Sequence, residues 1–321
     1  MTVLVTGGAG FIATNLIGKL LERGEHVLAV DNLSRGTRAN LRNLLGHHRL
    51  SFEQVDLTDL PAYGAAVDAH HTLGPVTEVW HLAANSDIPA GIADAHIDLH
   101  DTFMTTFNTL EVMRARGIRN LLFASSSAIY GDLGDRELTE DVGPLFPISN
   151  YGAMKLASEA AITAAAESFL ETALLFRFPN VVGVPATHGV LLDFIGRLRR
   201  DPGVLNILGD GTQQKAYLHV SDLVNAMLLI QARNTVKRDA FNVGPTDAGV
   251  TVRQIAEETV AAVAPGAALR FGEGNRGWVG DVPRFRYSTA RLQALGWQPR
   301  TDSLGAIRRA IGEIASQEKG P

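Results

Sequence analysis

Val3-Leu4-Val5-Thr6-Gly7-Gly8-Ala9-Gly10-Phe11-Ile12-Ala13 opens the chain with a β-branched apolar run, a glycine-rich turn and the first residues of an amphipathic helix. Glycines between a strand and a helix are the pattern of a dinucleotide cradle. Gly7 permits the tight turn, and Gly10 lets a pyrophosphate approach the backbone at the positive helix N-terminus. Ala13 stands where a third glycine would allow close helix–strand packing, and it adds only one methyl. The same alternation continues outward. Strands are predicted at residues 3–6, 26–30, 50–55, 78–81, 121–125 and 173–177, with helices at 11–23, 60–70, 98–116 and 151–169. Alternation of this kind predicts an α/β fold, a doubly wound parallel sheet of the Rossmann type.

Beyond Pro179 the pattern loosens into helices predicted at 190–200, 221–233, 251–263 and 303–316, with a short strand at 241–243. No repeat or linker separates the two regions. The expected division is a Rossmann domain at 1–178, to which 217–245 returns, and a smaller, interwoven C-terminal α/β substrate domain at 179–216 and 246–321. With 321 residues, 45% of them hydrophobic and 20% charged, the chain is too apolar for disorder and long enough for about two domains. A net charge of −5 provides no basic field for a nucleic-acid partner. The absence of cysteine excludes thiolate catalysis and Cys-ligated metals. No apolar run reaches the ~18 residues of a membrane span, and nothing at the N-terminus reads as a secretion signal. The expectation is a cytoplasmic protein without a membrane partner. His96 and His100 have the i, i+4 spacing of a helical metal pair but lack a clear third ligand, so no metal is expected.

Asp31 ends the second predicted strand, where a carboxylate accepts hydrogen bonds from the adenosine ribose. Its charge opposes a 2′-phosphate and so favours NAD over NADP, although Arg35, four residues on, could serve a phosphate. Asp56 follows the third strand, either near the adenine or as a helix cap. Two later segments carry chemistry. Ala124-Ser125-Ser126-Ser127-Ala128-Ile129-Tyr130-Gly131 leaves the fifth strand, and Tyr151-Gly152-Ala153-Met154-Lys155 opens a helix with Tyr151 and Lys155 one turn apart. A tyrosine of ordinary pKa about 10 is a poor base at neutral pH. A neighbouring ammonium favours its phenolate, and a serine hydroxyl nearby can hydrogen-bond the reacting oxygen.

TGGAGFIA, Asp31, HLAA (residues 81–84), SSSAIYG, YGAMK, RFPNVVG (177–183) and GDGTQQKAYLHVSD (209–222) occur in the order and spacing of the extended short-chain dehydrogenase/reductase family. FNVG at 241–244 and GWVGDVP continue the match over essentially the whole chain, which most resembles the nucleotide-sugar epimerases of the prokaryotic UDP-glucose/UDP-galactose 4-epimerase type. The resemblance implies Ser126, Tyr151 and Lys155 as catalytic residues and NAD as cofactor. It places Gly7, Gly10, Phe11, Ile12, Asp31, Asn32, Ser34, Arg35, Asp56, Leu57, Leu82, Ala83, Ala84, Ser125, Tyr151, Lys155 and Pro179 around that cofactor. It places Ser127, Asn180, Val190, Lys215, Arg276 and Asp281 around a UDP-hexose, and it implies a homodimer.

Related 4,6-dehydratases carry acidic residues after the catalytic hydroxyl, whereas this chain has Ser127 and Ala128. That favours epimerisation over elimination. A dehydratase or NAD(P)-dependent reductase, and a non-catalytic dinucleotide sensor, remain alternatives. Three positions depart from the family pattern: Thr102 replaces an asparagine, Asn85-Ser86-Asp87 follows HLAA, and Ala216 replaces an aspartate. For assembly, Phe103, Phe107, Leu110 and Met113 are spaced along one face of the helix at 98–116. Met104 and Ala161 are expected in a two-fold interface.

Overall fold

Seven strands build the central sheet: β1 (Thr2–Thr6), β2 (His26–Asp31), β3 (Leu50–Gln54), β4 (Val76–His81), β5 (Asn120–Ala124), β6 (Thr172–Arg177) and β7 (Arg238–Asn242). The computed structural model describes residues 1–70, 74–134, 136–274 and 286–317. The strand order is β7-β6-β5-β4-β1-β2-β3, and the ladders joining β1 to β6 are parallel. This is the predicted Rossmann sheet. Its order reverses between β1 and β4, the switch point at whose carboxyl ends such sheets bind ligands.

Helices cover the sheet because its strands are apolar on both faces. On one side α2 (Leu60–Ala69), α4 (Thr105–Arg116) and α5 (Asn150–Ser168) bury Tyr63, Val67, Leu110, Met113, Ile162 and Ala166 against alternate strand residues, among them Leu4, Leu28, Val79, Leu121, Phe123 and Leu175. Opposite alternates, including Val3, Val5, Ala29, Trp80 and Phe176, are buried too. The first helix, α1 (Phe11–Glu22), buries Ala13, Leu16, Ile17 and Leu20, so the methyl of Ala13 fits where a third glycine would stand.

Two compact units result. One comprises residues 1–131, 145–177 and 230–241; the other comprises 132–144, 178–229 and 242–321. The return to the first unit is therefore shorter than 217–245, since only β7 and the end of the preceding helix join it. Residues 132–144 lie outside it: Glu137–Leu138 pairs with Arg286–Tyr287 within the second unit. That unit has its own core, formed by Val190–Arg200, Val252–Val263 and Ser303–Ser316, which contribute Phe194, Ile195, Ile255, Ile307 and Ile311.

The helix expected at 98–116 is broken. A short turn, Ala95–Asp98, runs into a π-helical turn, Leu99–Met104, before α4 begins. A further short helix, α3 (Ile88–Ala93), precedes it and is capped by Asp87, whose side chain accepts from the Ala90 N–H. Its Ile88-Pro89 start suits a proline in the first turn.

One buried ion pair pins α5 to the sheet. Arg177, at the end of β6, donates to Glu159 on α5 at 3.0 Å through Nε and 2.6 Å through Nη2. Both residues are buried. Removing one member strands the other charge in a low dielectric. Glu159→Ala is expected to lower stability by about 3–5 kcal/mol, read as a reduced urea midpoint with an unchanged slope.

Candidate active site

The cradle forms where β1 meets α1. Gly7 adopts φ +65, and a Cβ there would stand 2.9 Å from the Ala83 N. At Gly10 it would stand 2.9 Å from the Gly7 carbonyl oxygen. Glycine at both positions lets the turn close on itself and on the loop after β4, which leaves the backbone N–H groups of the helix N-terminus bare for a pyrophosphate. Phe11 and Ile12 begin that helix, and no side chain caps it at Gly10. Leu82 and Ala83 hang their N–H groups on the Thr6 hydroxyl, at 3.1 and 3.2 Å, which fixes the loop after β4 beside the turn. Ala84 follows, half-buried.

Asp31 closes β2. Its Oδ2 accepts from the Ala9 N–H at 3.0 Å and its Oδ1 from the Leu33 N–H at 2.7 Å. Burial pushes the carboxyl up, while those two N–H groups pull the other way. A carboxylate has about four acceptor sites, so lone pairs remain for ribose hydroxyls. Asn32, half-buried, and Ser34, exposed, continue the turn, with the Ser34 N–H donating to Asn32 Oδ1. Arg35 is exposed and pairs with Asp87 at 3.1 Å. Asp56 does not cap α2, a task that Asp59 performs. Instead Asp56 accepts from the Thr58 N–H and hydroxyl and from Asn32. Burial pushes its carboxyl up, but these donors outweigh that and hold it below its ordinary value. Leu57 beside it is buried.

At the carboxyl end of β5, Ser126 begins a 3-10 turn, Ser127–Tyr130, and its Oγ accepts from the Ala128 N–H. The hydroxyl proton is left to donate, and a hydrogen bond from Ser126 lowers the pKa of Tyr151. Burial outweighs this and, with the charge of Asp98, leaves the Tyr151 phenol at about 12. The ammonium of Lys155 lies 5.9 Å from the Tyr151 ring centroid and 4.6 Å from that of Phe123, and it donates to the Ala124 carbonyl at 2.7 Å. With Lys155 only 2% exposed, burial lowers its pKa to about 7, opposed by Glu159 and Asp98. Helical spacing brings Tyr151 and Lys155 onto one face, and the turn after β5 brings Ser126 to Tyr151.

Ser125 is buried and donates to Glu159 Oε1 at 2.5 Å. Ser127 is also buried, which leaves it little surface for the expected substrate contact. In the second unit, Asn180 Nδ2 reaches the Ala216 carbonyl at 3.5 Å, which brings Asn180 beside Lys215. Pro179 precedes it, half-buried, and Val190 packs on that unit's core. Arg276 and Asp281 lie outside the described residues.

Sequence reading missed three groups. Glu159 continues the i, i+4 series from Tyr151 and Lys155, a signal that was present in the spacing. Arg177 carried none beyond its place at a strand end. Asp98 is fully buried; its Oδ1 accepts from Asn85 Nδ2 at 2.9 Å, and a Cβ on Gly91 would stand 1.8 Å from its Oδ2. Two of the family departures prove to be partners, because the Asn85 N–H donates to the Thr102 hydroxyl at 3.1 Å. His96 and His100 are exposed and each hydrogen-bonds a neighbouring aspartate, Asp94 and Asp101. No group of three metal-binding side chains occurs among the described residues, and no described helix is long and apolar enough to cross a membrane. A polar hollow of about 650 Å³ between Arg23, Glu78, Asn120 and Gln231 lies at the opposite, amino end of the strands, away from this chemistry.

Residues 3–244 match the model of the NAD-dependent epimerase/dehydratase family. The chain belongs to that family. It is similar to UDP-glucose 4-epimerase of Corynebacterium glutamicum, with 31% identity over 96% of this chain and 93% of the relative. The structure of Thermus thermophilus UDP-glucose 4-epimerase in complex with NAD matches at TM-score 0.84 and 30% identity, over 98% of this chain and 99% of that one. A Streptomyces venezuelae dTDP-glucose 4,6-dehydratase structure with NAD matches at TM-score 0.84 and 25% identity, over 97% and 96%. The family's cofactor is NAD, and the cradle, Asp31 and the Tyr151–Lys155 pair fit it.

Asp31→Ala is expected to weaken NAD binding tenfold or more, as loss of ~1.5–3 kcal/mol from hydrogen bonds to a charged group implies, and to narrow the gap to NADP. Calorimetric titration with both cofactors reads this; an unchanged NAD/NADP ratio would show that Asp31 does not read the ribose.

Proposed function

We propose that the protein is a nucleotide-sugar 4-epimerase that inverts C4 of a UDP-hexose through a transient 4-keto sugar. The observation that carries this reading is the Ser126–Tyr151–Lys155 set beside a 3-10 turn that offers Ser127 and Ala128 where elimination chemistry needs carboxylates. The carboxylates nearest Tyr151 in its own unit do not supply that need. Asp98 is fully buried, and Glu159 is occupied by Arg177 and Ser125. Support also comes from the UDP-glucose 4-epimerases among the relatives.

Bound NAD supplies a hydride acceptor that returns the hydride, and the positive charge of its oxidised ring favours the Tyr151 phenolate. Gly7, Gly10 and Asp31 would hold it. Tyr151 takes the proton of the sugar 4-hydroxyl and later returns it. Ser126 hydrogen-bonds the same oxygen, and an ammonium at Lys155 would favour the phenolate. Asn180 and Lys215 are the candidates for the nucleotide's phosphates, and binding energy remote from C4 would retain the intermediate while it turns over. Lys215 would act as a point charge rather than a planar fork.

Incubation with UDP-galactose, UDP-glucose, their N-acetyl forms and UDP-glucuronate, followed by proton NMR, should show C4 inversion without added cofactor. A 4-keto-6-deoxy product would instead identify a dehydratase, and stoichiometric consumption of NAD(P)H a reductase. Tyr151→Phe is expected to reduce kcat by at least 10²-fold, the scale of a lost general base, with NAD retained. Substantial remaining turnover would exclude Tyr151 as the base.

A homodimer belongs to the same reading. Phe107 on α4 is 43% exposed rather than turned to the core with Leu110 and Met113, because each step of three residues falls about 60° short of a full helical turn. Phe103, Met104 and Ala161 are partly exposed, and Ala160 and Ala164 are exposed. The small residues of α5 beside an apolar α4 stripe suit an isologous contact. Ala161→Arg should give monomers in light scattering by burying an unpaired charge; a monomeric parent protein would remove the basis for the contact.

A further inference from the structure

Four charged side chains are buried on α5 and on elements packed against it: Lys155 and Glu159 on α5, Arg177 at the end of β6, and Asp98 in the turn Ala95–Asp98. Arg177 and Glu159 satisfy each other through two hydrogen bonds. Lys155 donates to a neutral carbonyl and stands over the Phe123 ring, so neither contact balances its charge. Asp98 is the carboxylate left over. Its Oδ1 is held by the neutral amide of Asn85, and its Oδ2 meets no hydrogen-bond partner. The backbone of Gly91 closes against Oδ2 so tightly that no side chain fits between them. Of these two buried cations and two buried anions, only Arg177 and Glu159 are joined directly.

Building on the roles given above to Tyr151 and Lys155, we propose that Asp98 is a positioning residue: its carboxylate is the counter-charge of Lys155 and sets the pH range over which the Tyr151–Lys155 pair works. The charged and titratable groups facing this pair can be named element by element. Tyr151, Lys155 and Glu159 lie on α5, Arg177 ends β6, and His81 ends β4. Asp98 closes the turn before the π helix, and Asp101 lies within that helix. His81 is buried between the hydroxyls of Thr6 and Thr106, and burial lowers its pKa to about 3, so it stays neutral. Asp101 pairs with the exposed His100. Asp98 is pushed up by burial, with Asn85, the Thr102 hydroxyl and Lys155 opposing.

The sign follows from charge. A carboxylate here favours the ammonium and disfavours the phenolate, so both groups lose their protons at higher pH than they would without it. Neutralising Asp98 should therefore move both ionisations downward together, by about one pH unit, the lower end of what a nearby charge does. A merely structural defect would lower activity without displacing two ionisations in one direction.

The test is a tyrosinate absorbance titration of NAD-loaded protein, in which the signal of Tyr151 is the difference between parent and Tyr151→Phe backgrounds. In Asp98→Asn the midpoint should fall by about one unit, and both limbs of the kcat–pH profile should move the same way. An unchanged or raised midpoint in folded Asp98→Asn overturns the proposal. If that variant does not fold, Thr102→Val decides. It keeps the volume but removes a hydroxyl that favours ionised Asp98, so a smaller fall supports the proposal and no fall overturns it. The titration needs no sugar. Failure of C4 inversion with an intact shift would therefore count against the proposed function alone.

Discussion

An ammonium enclosed by protein must be compensated or lose its proton, and the burial of Lys155 is the constraint around which the chemistry of the first unit is organised. One compensation is the carbonyl at the end of β5, which fixes how far α5 stands above the sheet. Another is electrostatic, from Glu159 and Asp98. The first of these is itself locked to Arg177 at the end of β6. The lysine thus draws a strand end, a helix face and the turn before the π helix into one layer, while burial holds its pKa below the ordinary lysine value.

The cradle and this layer meet for topological reasons. β1 and β4 are adjacent and parallel, so the loops leaving them emerge side by side at the point where the strand order reverses. Thr6, the last residue of β1, makes that adjacency specific: its hydroxyl contacts the His81 ring and two N–H groups of the following loop. The dinucleotide motif is therefore a property of two strands, although only one of them carries the glycines.

Much of this was readable from residue pattern. Strands fully buried on both faces, such as VLVT and HVLAV, announce a parallel sheet without tertiary information, and the glycines of residues 7–10 locate its ligand edge. Tyr151 and Lys155 were visible because helical spacing is local. The π turn was not, because one extra residue in a turn leaves no mark in composition and alters only the phase between the residues before and after it. The short pairs of the second unit, such as Asn180–Val182 with Tyr217–His219, offer two or three residues each, too few for a period-2 pattern to declare itself. Asp98 escaped notice because a lone aspartate in a helical segment reads as solvated surface; its burial is produced by Asn85 and Gly91, neither of which marks it in the sequence.

The contact between Gly91 and Asp98 also restricts which sequences this architecture can accept. With no room for even a methyl between the α3 backbone and the carboxylate, the two positions cannot drift independently. Alanine at 91 would require a smaller residue at 98, and a larger residue at 98 would push α3 away, loosening the Gly91 carbonyl that receives Asn150 at the start of α5. A single step that enlarges either residue closes on the other, whereas a paired change does not. The pair should therefore behave as one inherited unit, coupling the loop beyond β4 to the helix that bears Tyr151.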